Sequence, residues 1–409
     1  MKDKDINTLL EELSESGQAV GIEADSDEEL ILEPFDPEAI SIEQKVVPMD
    51  TLIRRLEQGT IHLSPDFQRT EVWDITRRSR LIESLLLKIP LPMFYVASDE
   101  KGRWEVVDGL QRLSTIRDFI IGDKHGNFLS LKNLEFLGEK FDKKTFKAIE
   151  RDPLQQRVVN SIFETEMRFT IINPGTPEAV KRNIFKRINT GGMPLTSQEI
   201  RHALYQGHSS NLLIDLVENE SFRSAIGQKV NDTRMAAREL ILRFISFMVF
   251  DRHSYKPSLD TWLSNTMRVI NAMPNITDKD IIKIFTNTNE APKINIITID
   301  EIKENFELSM TRCKLVFGDH AFRKSLPNDS RKTPINKSLF ESWSSILYKI
   351  DDNSFDKLLE EKEVLFTKYR TLLENNEFTS AISRHASQQN STLLRYNEIL
   401  RIVNETVEN

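Results

Sequence analysis

Within the five residues Asp108-Gly109-Leu110-Gln111-Arg112 stand a carboxylate, an unhindered backbone, a side-chain amide and a guanidinium. An apolar-aromatic strand over 104–107 runs into Asp-Gly, and Gln-Arg then opens a helix with Leu113, Ile116 and Ile120 as its apolar positions. Glycine lets the backbone turn sharply and approach a ligand closely, because no side chain blocks it. The first amides of a helix point outward at its positive end, where an anion is favoured. Arg112 can add a forked, charge-assisted contact to a phosphate or carboxylate, worth roughly 1.5–3 kcal/mol when well aligned, or stand as a solvated first-turn residue. Asp108, or alternatively Glu71, can bind a Mg2+–phosphate unit or position an attacking water; equally, Asp108 can close an Asx turn ahead of the helix. Gln111 can hydrogen-bond a base, a ribose or a phosphate, or merely fill the first turn. Together these features suggest a phosphate pocket.

Two further segments carry groups of the same kind. In the run from Ile61 to Asp74, Pro65 keeps Ser64 extended, which places Gln68 and Arg69 in an ordered loop before a helix over 76–88. That helix shows Leu81, Ile82, Leu85 and Leu86 on one face, and Phe67, Val72 and Trp73 are expected to anchor the loop in the core. The run from Asn183 to Arg201 reads as a helix ending at Asn189, a reversal at Gly191-Gly192, and a second helix capped by Thr196. Glu199 completes a capping box there. The box accounts for Thr196 and Glu199 without any function, but it leaves Arg187, Asn189 and Arg201 crowded around one turn.

Phe-Gln-Arg with a nearby Trp at 67–73, Ile-Pro-Leu-Pro at 89–92, Asp-Gly-x-Gln-Arg-Leu-Ser-Thr at 108–115 and Phe-x-Arg-Ile-Asn-Thr-Gly-Gly-x-x-Leu-x-x-x-Glu-Ile-Arg at 185–201 resemble the N-terminal domain of GmrSD restriction endonucleases. The resemblance covers residues 45–205 with strong motifs and the helical remainder more loosely. It implies a core related to the ParB and sulfiredoxin nucleotide-binding folds. It also implies nucleoside triphosphate binding and hydrolysis coupled to restriction of foreign or modified DNA. On that resemblance Asp108 and Arg112 are the expected catalytic residues, with Asp108 also the metal contact. Gln68, Arg69, Gly109, Gln111, Arg187, Asn189 and Gly191 are the expected nucleotide-binding set. Leu110 departs from the pattern, because the family more often has Gln there, and a side-chain contact at that position is put in doubt.

Composition bounds the rest. A chain of 409 residues, 39% apolar and 29% charged, has the make-up of a water-soluble globular protein with room for two or three domains. A single cysteine, Cys313, excludes an intramolecular disulfide framework and a Cys-pair zinc site. No segment approaches the ~20 apolar residues of a membrane span, the start shows no secretory pattern, and a cytoplasmic location is expected. Residues 1–40 hold 13 acidic residues against two lysines, which leaves the remainder at +3 although the whole chain is −8. That stretch is expected to be a disordered, solubilising tail, with occupation of a basic pocket as the sharper alternative.

The positioning elements follow from pattern. A strand over 46–49 precedes a helix over 51–58 capped by Asp50 and closed by Gly59. Strands over 93–96 and 103–107 flank a turn at 99–102, a short β insert followed by helix is expected over 125–160, and a strand over 165–172 leads to the helix bearing Arg187. From 208 onward apolar stripes read as helices near 233–250, 258–272, 298–317, 338–350, 354–375 and 391–405. The fold class is therefore α+β: a small mixed-sheet domain over 41–207, then a mostly α-helical domain over 208–409.

The seven histidines show no metal-binding spacing, and His62, close to the Gln68-Arg69 loop, is the one that stays a candidate. No Walker loop is present, so a P-loop NTPase is excluded. The His-based nuclease centre found in the second half of full-length relatives is not recognisable, so any DNA cleavage would come from the first domain's pocket or from a partner nuclease. Arg77, Arg78 and Arg80 form a basic cluster that suits a DNA backbone or a solvated helix face. Arg323, Lys324, Arg331, Lys332 and Lys337 form a second basic run, expected to be flexible. The reading is a nucleoside triphosphate-binding, hydrolysing protein of a restriction or phage-defence system. A nuclease or nickase using the same pocket, and a non-catalytic nucleotide-gated DNA-binding adaptor, are the alternatives. Mg2+, DNA and further copies of the chain are the expected companions.

Overall fold

Strand alternation starts earlier in the chain than its acidity suggests. The computed structural model describes residues 11–13, 19–24, 40–63, 73–188, 195–227, 230, 232, 234–256, 258–285 and 291–408. Within the expected tail, β1 (Glu11–Leu13) pairs antiparallel with β2 (Ala19–Glu23). Val20 and Ile22, alternate residues of β2, are buried. Ile22 bridges Ile335, with Ile335 N donating to Gly21 O at 2.9 Å and Glu23 N to Ile335 O at 2.8 Å. Glu12 and Glu23 pair with Lys337 at 2.5 Å and Lys324 at 2.6 Å. At these residues the expectation of disorder is corrected: two buried apolar side chains, a β-bridge and two ion pairs oppose the charge repulsion that composition alone records.

The chain divides into two units, Glu33–Leu195 and Met1–Leu32 with Thr196–Asn409. In the first, β3 (Ile42–Pro48) leads into α1 (Met49–Glu57), β4 (Ile61–His62) and α2 (Ile75–Leu86). Pro48, rather than Asp50, takes the position before the helix, and Asp50 lies in its first turn. Next come β5 (Phe94–Ser98), β6 (Trp104–Asp108) and α3 (Leu110–Ile120). Then α4 (Gly138–Phe141), α5 (Phe146–Glu150) and α6 (Gln156–Phe163) precede β7 (Glu166–Ile172) and α7 (Glu178–Ile188). The segment over 125–160 forms turns and short helices in place of the expected β insert. Buried Glu83 of α2 explains part of this: its carboxylate accepts the amides of Glu135, Phe136 and Leu137 at 2.9, 2.7 and 2.8 Å, which removes those donors from any ladder.

The sheet order is β3-β7-β5-β6-β4, with β3/β7 and β5/β6 antiparallel and β7/β5 and β6/β4 parallel. One face is apolar across its centre, although Glu43 and Lys45 of β3 continue it at the edge. Phe94 stacks on Phe169 at 5.1 Å, Trp104 tilts on Phe169 at 5.2 Å, and Val96, Val106 and Ile171 are buried beside them. The Arg55 guanidinium of α1 lies 3.7 Å over the Trp104 ring and fixes that helix on this face. The opposite face carries polar residues.

The second unit is helical. Its helix Ala236–Val249 is buried along almost its whole length, beside Lys337–Leu347. The pattern over 354–375 resolves into two helices, Asp352–Glu360 and Lys362–Glu374. Charged side chains inside this unit are paired. Glu239 accepts from Arg243 at 2.9 Å and Lys337 at 3.1 Å, and Glu341 from Arg252 at 2.8 Å and Arg395 at 3.0 Å. Among the described residues no helix is long and apolar enough to cross a membrane.

Candidate functional site

The Asp-Gly turn is built around Arg112. Gly109 adopts φ +95° at the N-cap of α3, a conformation that side chains disfavour. A Cβ built there would sit 2.9 Å from Phe94 Cε1, closer still to Cδ1, and 3.0 Å from Arg112 Nη2. Glycine is therefore required on two counts. Arg112 Nη2 donates to Asp108 Oδ2 at 2.6 Å, and Nη1 donates to the Pro92 carbonyl. Both reach toward Met93 O at 3.4 Å, and the guanidinium lies 4.5 Å over the Phe94 ring. Burial lowers the Arg112 pKa against the opposing pull of Asp108. The first helical bond of α3 is Leu113 N to Gly109 O at 2.9 Å, so the amides of Leu110, Gln111 and Arg112 have no helical acceptor. The result is a fixed cation beside the positive end of a helix, with Asp108 one-third exposed at its rim. Asp108 thus orients Arg112, a role beyond either sequence reading.

The other expected residues are distributed as follows. Gln111 is half-buried on the first turn, and Leu110 is buried, so position 110 can offer a ligand only its backbone amide. Arg187 is exposed on α7 and makes no ion pair with the Asp108–Arg112 turn. Gln68, Arg69, Asn189 and Gly191 lie outside the described residues, as do Phe67, Glu71 and Val72. Trp73 is half-buried under the Arg77 guanidinium at 4.5 Å. Thr196 and Glu199 form the expected capping box. Arg201 has a structural explanation: it is buried in the helical unit and donates to Gln198 at 2.9 Å, Asp260 at 2.5 Å and Glu239 at 3.4 Å.

The basic clusters are also used internally. Arg78 pairs with Asp118. In the run expected to be flexible, Arg323 Nη2 donates to Ile226 O at 3.2 Å, Lys324 pairs with Glu23 and Lys332 with Asp319 at 2.9 Å. Lys337 is buried against Glu239.

Strand register reveals a residue that motif reading passes over. Tyr95 and Ala97 share a face of β5, and their partners on β6 are Asp108 and Glu105. Those two acids are an odd number of residues apart, and they share a face because the β5–β6 ladder slips by one residue between Tyr95 and Val96. His62 lies opposite Glu105 on β4, and Thr170 opposite Tyr95 on β7. Along this face Thr170 is buried, Tyr95 and Glu105 half-buried and His62 exposed, so cover thins toward the β4 edge. Burial pushes the Glu105 carboxyl up to about 8 against the pull of Arg103. The signal was present in Trp-Glu-Val: an acid between two buried strand residues faces away from the core.

Residues 50–206 match the family model described as the GmrSD restriction endonuclease, N-terminal domain. No curated protein matches the chain.

Proposed function

Residues 50–206 form a GmrSD-type N-terminal domain, and from that premise we propose that the chain binds and hydrolyses a nucleoside triphosphate at the Asp108–Arg112 turn as part of a DNA restriction or defence system. The family description supports the restriction setting. The observation that carries the nucleotide reading is the preorganised cation. Arg112 is held by Asp108, the Pro92 carbonyl and the Phe94 ring beside three helix-start amides that have no helical acceptor. Such an arrangement stabilises charge on a phosphate chain without reorganising when the ligand arrives. Gly109 lets the backbone come close. Gln111 and Arg187, together with Gln68, Arg69, Asn189 and Gly191, complete the proposed binding set.

A metal held by protein ligands alone fits this turn poorly. Among the described residues no three His, Cys, Asp or Glu side chains stand together, and Asp108 Oδ2 is committed to Arg112. In this proposal Mg2+ enters as the counter-ion carried by the triphosphate, and Asp108 Oδ1 is the oxygen available to it. DNA is the proposed macromolecular target, with a partner nuclease performing the cut.

The test is phosphate release from ATP, GTP, CTP and UTP with Mg2+, comparing wild type with Arg112→Ala after matching their unfolding temperatures. Release by wild type and loss of at least about tenfold in the variant, equivalent to ~1.4 kcal/mol of barrier, is the expected result. No release from any nucleotide, with and without DNA, would sink the proposal. Plasmid nicking without nucleotide, lost in Asp108→Ala, would move the assignment to a nuclease.

A further inference from the structure

Among the described strands β3 (Ile42–Pro48) is an edge of the sheet and pairs with β7 alone. The hydrogen bonds at its two ends fix which way each main-chain group points. Asn173 N donates to Ser41 O and Met49 N to Thr165 O, both at 2.9 Å, and the register between them is unbroken. In an antiparallel pair such bonded positions recur every second residue, so Glu43, Lys45 and Val47 spend their N–H and C=O groups on β7. Those of Ile42, Gln44 and Val46 point away from the sheet, and among the described residues they meet no partner. Two side chains on this open edge are apolar and exposed, Ile42 at 45% and Val46 at 52%. An edge of that kind is a template for another strand.

The order of residues in β3 selects the strand that fits. A second β3 running antiparallel can engage the outward groups in a few registers, which differ in the residue at their centre. Centred on Glu43, the pair sets two carboxylates directly opposite; centred on Lys45, it sets two ammoniums opposite, and either arrangement is destabilising. Centred on Gln44, Glu43 faces Lys45 of the second copy, Lys45 faces its Glu43, and Ile42 faces its Val46. The charged pairs then occupy non-hydrogen-bonded positions, where opposed side chains stand closest. Ile42, Gln44 and Val46 exchange about six main-chain hydrogen bonds, and Pro48, which has no N–H, ends the ladder. Registers centred further out shorten the overlap. A lone lysine on an edge deters pairing, but the acid two residues before Lys45 converts it into a matching charge.

We propose that β3 is a self-association edge: a second copy of this chain adds its own β3 antiparallel, centred on Gln44, and joins the two five-stranded sheets into one. The contact uses the same patch on both copies and closes as a twofold dimer. This pairing does not depend on the nucleotide reading.

The experiment is sedimentation equilibrium of the full chain across roughly 1–300 µM, the range that suits a small interface. It compares wild type, Glu43→Lys, Lys45→Glu and the exchanged variant carrying both changes, each first shown to unfold at the wild-type temperature. Either single change sets like charges opposite at both crossed positions and should weaken dimerisation at least about tenfold. The exchanged variant restores opposite charges and should return to within about threefold of wild type. An equimolar mixture of the two single variants should form the mixed dimer in preference to either homodimer, because one partner then presents two cations and the other two anions. Gln44→Pro removes an N–H that β7 does not use, so it should leave the fold intact and weaken dimerisation at least about tenfold. In hydrogen exchange the amides of Ile42, Gln44 and Val46 should gain protection as concentration rises, while those of Glu43, Lys45 and Val47 stay protected throughout. A monomer over the whole range would overturn the proposal. So would a dimer indifferent to Glu43→Lys, to Lys45→Glu and to Gln44→Pro, since its contact must lie elsewhere. If Gln44→Pro fails to fold, the charge exchange decides alone.

Discussion

Replacing Gly109 by alanine is the most direct test of how the cradle is built. Two costs are superposed at this position. The first is conformational: an L-residue at φ +95° pays about 1–2 kcal/mol relative to glycine. The second is steric, because the new Cβ would sit 2.9 Å from Phe94 Cε1 and nearer to Cδ1. The ring cannot step aside freely, since it is fully buried, stacked on Phe169 at 5.1 Å and covered by Arg112. Overpacking of that kind costs about 1–3 kcal/mol. The total, about 2–5 kcal/mol, corresponds to roughly 10 °C in the unfolding midpoint of a domain of this size. Gly102 provides the control: it has φ +74°, and a Cβ there meets nothing within 4 Å. Gly102→Ala should therefore carry the conformational cost alone, about 1–2 kcal/mol. The assay is scanning calorimetry of both variants, with hydrogen exchange of the β5 and β6 amides to assign the transition. Equal midpoints for Gly109→Ala and Gly102→Ala would show that the Cβ finds room and that the packing of ring against turn is misread.

Three further outcomes concern the helical unit. Glu239→Gln leaves Arg201, Arg243 and Lys337 without their shared carboxylate and should cost about 3–5 kcal/mol, read as a lower urea midpoint. Burial alone would raise the Glu239 pKa, but Lys337, Arg243 and Arg201 hold it below the ordinary range, so its contribution is present above about pH 4 and lost as pH falls further. His202 is fully buried, and burial together with Arg238 lowers its pKa to about 4. It stays neutral in the fold while the unfolded chain takes up a proton below about pH 6.5, so stability should fall by roughly 3 kcal/mol between those values. A His202→Leu variant that keeps the same slope would refute this. Ile22→Ala, at a side chain with 0% exposure, should cost about 2–5 kcal/mol by the same urea assay if the N-terminal strand is an integral part of the unit.

What could be read from the sequence divides along the range of the interactions. The turn at 108–112 was legible because its own residues dictate it: Gly109 supplies the left-handed conformation, and the apolar period beyond it gives α3. The capping box at Thr196 was legible for the same reason. The sheet order β3-β7-β5-β6-β4 is not local information, since β3 and β7 pair across more than a hundred residues. Glu105 shows how a single bulge defeats simple alternation, because counting residues from Asp108 puts the two acids on opposite faces. Arg201 and Lys337 failed for another reason. Charge type argues for the surface, and only the three-dimensional fold shows Glu239 between them. The N-terminal strands were hidden by composition, which averages Val20 and Ile22 into an acidic stretch.

Under the proposed function Arg112 would serve two purposes that one variant can separate. A guanidinium has five N–H donors in a rigid fork, and Arg112 spends its Nη groups on the Pro92 carbonyl and Asp108, with Met93 O at the longer 3.4 Å. It is thus a clip that ties the start of β5 to the β6–α3 turn, and in the proposed function its charge would reach the phosphates mainly through the field it sets up beside the helix-start amides. If the clip is what preorganises the site, charge alone is not enough. Arg112→Lys retains the charge but places a single ammonium where a planar group bridges a carbonyl and a carboxylate while covering Phe94. Phosphate release by Arg112→Lys should then fall at least about tenfold, close to Arg112→Ala, because three helix-start amides aimed by a loosened turn lose their alignment. A lysine variant that hydrolyses at the wild-type rate would show that the fork is dispensable, and that the turn holds its shape through Gly109 and the Phe94 stack without it.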